Sequence, residues 1–201
     1  MKFIFYKNVD DFTLTFDKTG SIAESIRKQA FDLYREGKWA ELEDLFKSIN
    51  IKWLPAFGGY NIVDNVPLTK GMKFDRYCSS IGYSEKGNLN LNGNFTSPIE
   101  NGTPFSFSQR ALVKLRNEYD VYYEIEVLKD LPFTAQNADV IPWFGQLGKG
   151  KQSMWNIPKN PNSPKDYSYT LTELAEMGYI KITIKESPNG KFKSLVNKEI
   201  P

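Results

Sequence analysis

The sequence predicts an α+β fold: a compact β-rich domain with long loops, preceded by a small hairpin and two-helix N-terminal appendage. Three observations lead there. Residues 22–49 carry apolar side chains at helical spacing, whereas Val121, Tyr123, Ile125 and Val127 alternate with more polar neighbours as a half-buried strand does. Turn residues then punctuate the chain after Trp53, beginning with Pro55, Gly58 and Gly59. At 201 residues the chain is long enough for one good core, or for one domain with an appendage.

In order, KFIFY and FTLTF flank the turn-forming NVDD and predict a hairpin over residues 2–16. Ser21-Ile22-Ala23-Glu24 fits a capping box that opens a helix, with Ile22, Ile26, Ala30 and Leu33 on one face and Gly37 as its stop. Trp39, Leu42, Leu45, Phe46 and Ile49 form the stripe of a second helix. This appendage covers 1–52 and offers no chemistry; the β-rich domain covers 53–201. Within the domain, Met72, Phe74 and Arg76 share a strand face, and residues 79–104 form a polar, glycine-containing loop. Thr170-Leu171-Thr172-Glu173 caps a short helix that ends at Gly178, and Ile180, Ile182 and Ile184 make a closing strand.

Composition excludes much chemistry. There is no histidine, which removes Ser-His-Asp triads, Cys-His pairs and His-ligated metals. Cys78 is the only cysteine, so neither an internal disulfide nor a cysteine zinc site can form, and the thiol reads as a small packed residue. The net charge of +2 carries no field for nucleic acid. No apolar run approaches the roughly 20 residues of a membrane span, and the opening MKFIFYKN does not read as a signal peptide. Carboxylates, hydroxyls, amides, arginines and aromatic faces remain.

The segment Pro142 to Gln152, PWFGQLGKGKQ, is too rich in glycine for a strand or helix interior and too aromatic for a plain linker. It closes an ordered series: Asp75-Arg76-Tyr77, GNFTSP at 93–98, GTPF at 102–105, QRAL at 109–112 and YEIEVLK at 123–129. Followed by the Leu171–Ile180 block, that series resembles the tuberculosis necrotizing toxin family, whose members are NAD glycohydrolases, over about residues 53–184. The resemblance implies hydrolysis of the nicotinamide–ribose bond of NAD+ or NADP+, with the dinucleotide as substrate, no cofactor and no metal. It implies Gln152 as the catalytic glutamine, with Gln146 as its competitor in the same loop. Arg76 would hold pyrophosphate, with a strand-end ion pair to Asp75 as the structural alternative; Arg110 has the same two readings. Tyr77 and Phe95 would stack on nicotinamide or adenine, or else serve as core. The family's functional histidine falls on Tyr123, whose hydroxyl can donate a hydrogen bond but is a poor base at neutral pH. The resemblance further implies a secreted or injected effector, delivered by a dedicated secretion system, that acts in the target cytoplasm and meets a cognate immunity protein. Two other readings compete: an ADP-ribosyltransferase, for which Glu124 and Glu126 lie on a strand but no Ser-Thr-Ser element is present, and a non-enzymatic β-rich binding module.

Overall fold

A computed structural model of the chain describes residues 6–52, 54–79, 81–83, 87, 89–163 and 166–200. Helices α1 (Val9–Thr13), α2 (Glu24–Glu36) and α3 (Trp39–Ser48) lead into strands β1 (Gly59–Pro67) and β2 (Lys73–Cys78). Short strands β3 (Gly82–Tyr83), β4 (Leu89–Asn90) and β5 (Phe95–Pro98) follow, then β6 (Val121–Val127), β7 (Thr134–Val140) and β8 (Lys151–Trp155). Helix α4 (Leu171–Glu176), β9 (Ile180–Glu186) and β10 (Glu199–Ile200) complete the chain. Eight strands join one sheet in the order β1-β7-β8-β5-β2-β6-β9-β10; β3 and β4 pair separately. The α+β class is as expected.

The chain groups into two compact units, and the boundary expected at 52/53 is not where they divide. The first comprises Met1–Ile62, Ser106–Leu112 and Ala138–Lys151; the second comprises Val63–Phe105, Val113–Asn137 and Gln152–Pro201. Strands β1, β7 and β8 each carry the chain from one unit into the other. The reason is in the packing of the first unit. Its core is built from Phe12, Phe31, Tyr34, Leu42 and Phe46 of the helices together with Val140, Ile141 and Trp143. Phe46 and Trp143 meet edge to face at 5.7 Å. The aromatic stripe of α3 is therefore core, but a core completed by residues a hundred positions later.

Two N-terminal expectations are corrected. The second strand of the 2–16 hairpin does not form: NVDDF is the start of α1, because the Asn8 side chain accepts the Asp11 N–H at 2.8 Å and so caps a helix. The first strand, at residues 2–5, lies outside the described residues. Nor does Ser21 cap α2, which begins at Glu24 without a side-chain cap. Ser21 instead donates both its N–H and its hydroxyl to Asp17 at 3.1 Å. The capping box at Thr170 and Glu173 forms as expected. The polar stretch 79–104 is not loop throughout, since it holds β3, β4 and β5.

The core of the second unit lies on one face of its strands. Val121, Tyr123, Ile125 and Val127 of β6 and Ile180, Ile182 and Ile184 of β9 are buried there with Phe74 and Trp155. Burying one such large apolar side chain stabilises by about 2 kcal/mol. Cys78 is part of the same core, and burial pushes its thiol pKa up. Among the described residues no helix is long and apolar enough to cross a membrane.

Asp17 fixes the entry to α2. Burial raises its pKa, but the N–H groups of Ile22 and Ser21 and the hydroxyls of Ser21 and Thr19 outweigh that and bring it from 3.8 to about 2. A depressed carboxylate pKa contributes stability that is complete above the unfolded value and is lost as pH falls through the folded one. Asp17→Ala is expected to cost about 1–3 kcal/mol in urea unfolding at pH 7. The gap between wild type and mutant should narrow as pH drops from 4 toward 2. A gap that is independent of pH would show that the carboxylate charge is not what caps this turn.

Candidate functional site

Alternation along a strand sends neighbouring residues to opposite faces, and the register of β2 with its two partners fixes which residues meet. Asp75 lies opposite Ser97 of β5 and Glu124 of β6; Tyr77 lies opposite Tyr122. Phe95 pairs with Met154 of β8, and Thr96 pairs with Ser153. Extending these registers by one or two residues puts Gln152 opposite Ser97 and Phe95 opposite Tyr77. One face of the second unit thus carries two adjacent rows across four strands. The first is Gln152, Ser97, Asp75 and Glu124; the second is Met154, Phe95, Tyr77 and Tyr122.

Contacts join the rows. The rings of Tyr77 and Tyr122 stack with centroids 4.7 Å apart, and Tyr119 meets Tyr77 edge-on at 5.6 Å. The Tyr122 hydroxyl donates to Asp75 Oδ2 at 2.8 Å. Asp75 and Ser97 are closed to solvent at 0% and 5% exposure, while Gln152, Phe95, Tyr77 and Tyr122 are half-buried. The centre of this face is thus buried and polar, and the positions around it are amide and aromatic. At the outer end Arg116 donates to the Tyr77 hydroxyl at 3.4 Å and pairs with Glu186 at 2.5 Å. Glu124 is held by Lys185 at 3.2 Å.

The residues singled out from the sequence are placed unevenly. Tyr77, Phe95 and Gln152 come together on this face. Arg76 and Tyr123, cross-strand partners of each other, lie on the opposite one. Tyr123 is fully buried in the apolar core, where burial raises its pKa far above the ordinary tyrosine value, and its hydroxyl has no hydrogen-bond partner among the described residues. The residue beside it, Tyr122, is the tyrosine on the site face. Arg76 is half-buried, donates to the Phe95 carbonyl and braces β5. Gly93 is required there: its φ is +102°, and a Cβ would come within 2.4 Å of the Arg76 guanidinium.

Arg110 and Gln146 belong to the first unit. Arg110 is buried at the end of a single helical turn, Ser108–Arg110. Gln146 donates its side-chain amide to the Leu112 carbonyl, while its own side-chain carbonyl oxygen is buried with no hydrogen-bond partner among the described residues. The glycine loop around it is tied down by its backbone: Leu147 N–H to Ser108 Oγ and Gly148 N–H to the Ser108 carbonyl, both at 3.1 Å, and Gly150 N–H to the Gln109 carbonyl at 3.0 Å. A Cβ at Gly148 would fall 2.5 Å from the Pro142 nitrogen, so only glycine fits. The loop is ordered because its carbonyls and N–H groups are spoken for locally.

Sequence reasoning missed Ser97, Tyr122 and Arg116, and took Asp75 only as a partner for Arg76. The signal was present for two of them: if Val121, Ile125 and Val127 face the core, Tyr122 must face away, and Asp75 must face away if Phe74 does not. Among the described residues no three His, Cys, Asp or Glu side chains converge as a metal-binding group.

A sequence model of the tuberculosis necrotizing toxin family matches residues 67–182, more than half of the chain. The chain belongs to that family. The matched segment contains both rows as well as Arg110, Gln146 and the glycine loop. Among solved structures, the tuberculosis necrotizing toxin in complex with its immunity factor is similar at 19% identity and a TM-score of 0.41, with 65% of this chain and 60% of that one covered. No curated protein matches the sequence. This toxin-family chain spans less than two thirds of that solved chain.

For this family member, two core-side substitutions separate packing from site. Tyr123→Phe removes a buried, unpartnered hydroxyl, so its melting temperature is expected to equal or exceed that of the wild type. Gln146→Ala should lower stability by about 1 kcal/mol, because it deletes the bond to the 106–112 segment. A marked loss of stability in Tyr123→Phe would mean that the hydroxyl has a partner in solution.

Proposed function

We propose that the chain is an NAD(P)+ glycohydrolase toxin, which hydrolyses the nicotinamide–ribose bond and so depletes dinucleotide in a target cell. The observation that carries this reading is the pair of rows: amide, hydroxyl and carboxylate side by side, with three aromatic rings alongside them. Nicotinamide and adenine are flat, and ribose is a polyol, so a polar row flanked by rings fits the substrate's shape. The leaving group is cationic before it leaves, so no general acid is needed, and the lack of histidine is no obstacle.

Roles follow from position. Gln152, at the edge of the polar row, orients the ribose hydroxyls or the attacking water. Phe95, Tyr77 and Tyr122 offer faces for the rings. Pyrophosphate falls to guanidinium groups, which match its oxygens with paired hydrogen bonds; Arg116 stands at the rim beside Tyr77, and the resemblance adds Arg76 and Arg110. Tyr123 contributes packing behind the site. No cofactor or metal takes part, delivery into the target is by a dedicated secretion route, and a cognate immunity protein is the natural partner of such an activity in the producing cell.

An ADP-ribosyltransferase would attach ADP-ribose to an acceptor instead, so the product decides. Purified protein incubated with NAD+ or NADP+ should release nicotinamide and free ADP-ribose, or its phosphate, in equal amounts by mass spectrometry. Gln152→Ala should lower kcat on the order of 10²-fold with little change in KM, because its interaction is worth more in the transition state. Arg116→Ala should instead raise KM, since phosphate contacts act on substrate and transition state alike. Intact dinucleotide after prolonged incubation would overturn the proposal, and ADP-ribose found only on protein would replace it with the transferase.

A further inference from the structure

We infer that a cavity in the second unit, separate from the two rows, binds a small amphipathic anion: an apolar ring body with one N–H or O–H donor and one acidic group. The cavity measures about 420 Å³, within the usual range for small-molecule pockets. Leu68 and Phe74 give it a buried wall, and the half-buried Val66, Met72 and Ile99 continue the apolar lining. Gly71, Lys73 and Gly102 also line it and are exposed, so it opens to solvent. It sits where β2 begins and β5 ends, whereas Tyr77 and Phe95 lie toward the other ends of those strands. No residue of the two rows lines it.

Two polar groups decide what fits. Asn137 of β7 lines the cavity, and its side-chain Oδ1 is buried with no hydrogen-bond partner among the described residues. Buried acceptors are normally bonded, so an open one beside an apolar cavity is matched by a donor on a ligand. Lys73 stands at the exposed rim. Its cross-strand neighbour Glu126 is drawn to Lys181 at 3.7 Å, and the Lys73 ammonium enters no ion pair among the described residues. The walls therefore supply affinity, and the amide and the ammonium supply orientation. A plain hydrocarbon would leave Asn137 unsatisfied, and a strongly hydrated inorganic anion would gain nothing from the walls. An aryl carboxylate or sulfonate with a single donor meets all three demands.

The test uses the full chain and the fluorescent probe 1-anilinonaphthalene-8-sulfonate, which combines aromatic rings, one N–H and one sulfonate. Its emission should rise and saturate at one probe per chain, with affinity falling as salt is raised. Asn137→Leu keeps the side-chain size but removes the acceptor. It should weaken binding about tenfold and melt no lower than wild type. Lys73→Glu, at an exposed position, should weaken binding about tenfold and abolish the loss of affinity with salt. Val66→Trp should fill the cavity and abolish binding; if it does not fold, the other two variants decide. Excess NAD+ or ADP-ribose should leave the probe's affinity unchanged. The absence of saturable binding, or an affinity that Asn137→Leu leaves untouched, would overturn the inference. Displacement by the dinucleotide would also overturn it, by moving the probe to the substrate site. Nicotinamide release is measured separately, so the glycohydrolase reading stands or falls independently.

Discussion

Strand β2 is the constraint from which the rest follows. It is paired on both sides, to β5 and to β6, so its register fixes what lies beside each of its residues in two directions. Parity does the rest. Asp75 and Tyr77 go to one face with Ser97, Glu124 and Tyr122; Phe74, Arg76 and Cys78 go to the other, with Tyr123 and Ile125. A slip of one residue would bury the aromatic row in the core and lift the core into the site. The core-facing residues prevent that slip, because Phe74, Val121, Ile125 and Val127 would all have to leave an apolar interior together.

Much of this was legible in the sequence. The alternation in β6 was plain because four apolar residues fall on every second position, and the box at Thr170 and Glu173 announced α4 through two reciprocal hydrogen bonds. The aromatic candidates Tyr77 and Phe95 and the amide of Gln152 were recognisable from short motifs and do share a face. What failed was local. Phe12, Leu14 and Phe16 alternate as in a strand, but Phe12 and Phe16 are also four apart, and with the chain turning after Thr13 Phe12 packs on Phe16 at 5.2 Å and on Phe31 of α2 at 5.4 Å. The Asn8 cap chose the helix. Tyr122 and Tyr123 differ by a single position, which motif matching cannot resolve and strand parity can.

Long-range closure was the part that no local pattern carries. Nothing near Trp143 announces that it meets Phe46, and nothing near Gly148 says that its nitrogen reaches the Ser108 carbonyl. The glycines of the loop read as freedom in the sequence. In the structure they serve closeness: Gly148 is pressed against Pro142, and its neighbours exchange backbone hydrogen bonds with 106–112. An ordered glycine loop costs more backbone entropy than most segments, and those bonds, together with the Gln146 amide, are what offset it.

The same accounting favours reading the polar row as a site rather than as packing. A buried carboxylate is costly to desolvate, and the Tyr122 hydroxyl is one group that offsets the cost at Asp75. An aliphatic residue opposite Ser97 would pack the floor more cheaply. The aromatic row poses the matching question, because Phe95, Tyr77 and Tyr122 stay half-buried although the core on the other face could take apolar surface. Stability alone favours neither choice. A face that buries a carboxylate beside aromatic surface kept within reach of solvent suits the flat-ringed substrate proposed above.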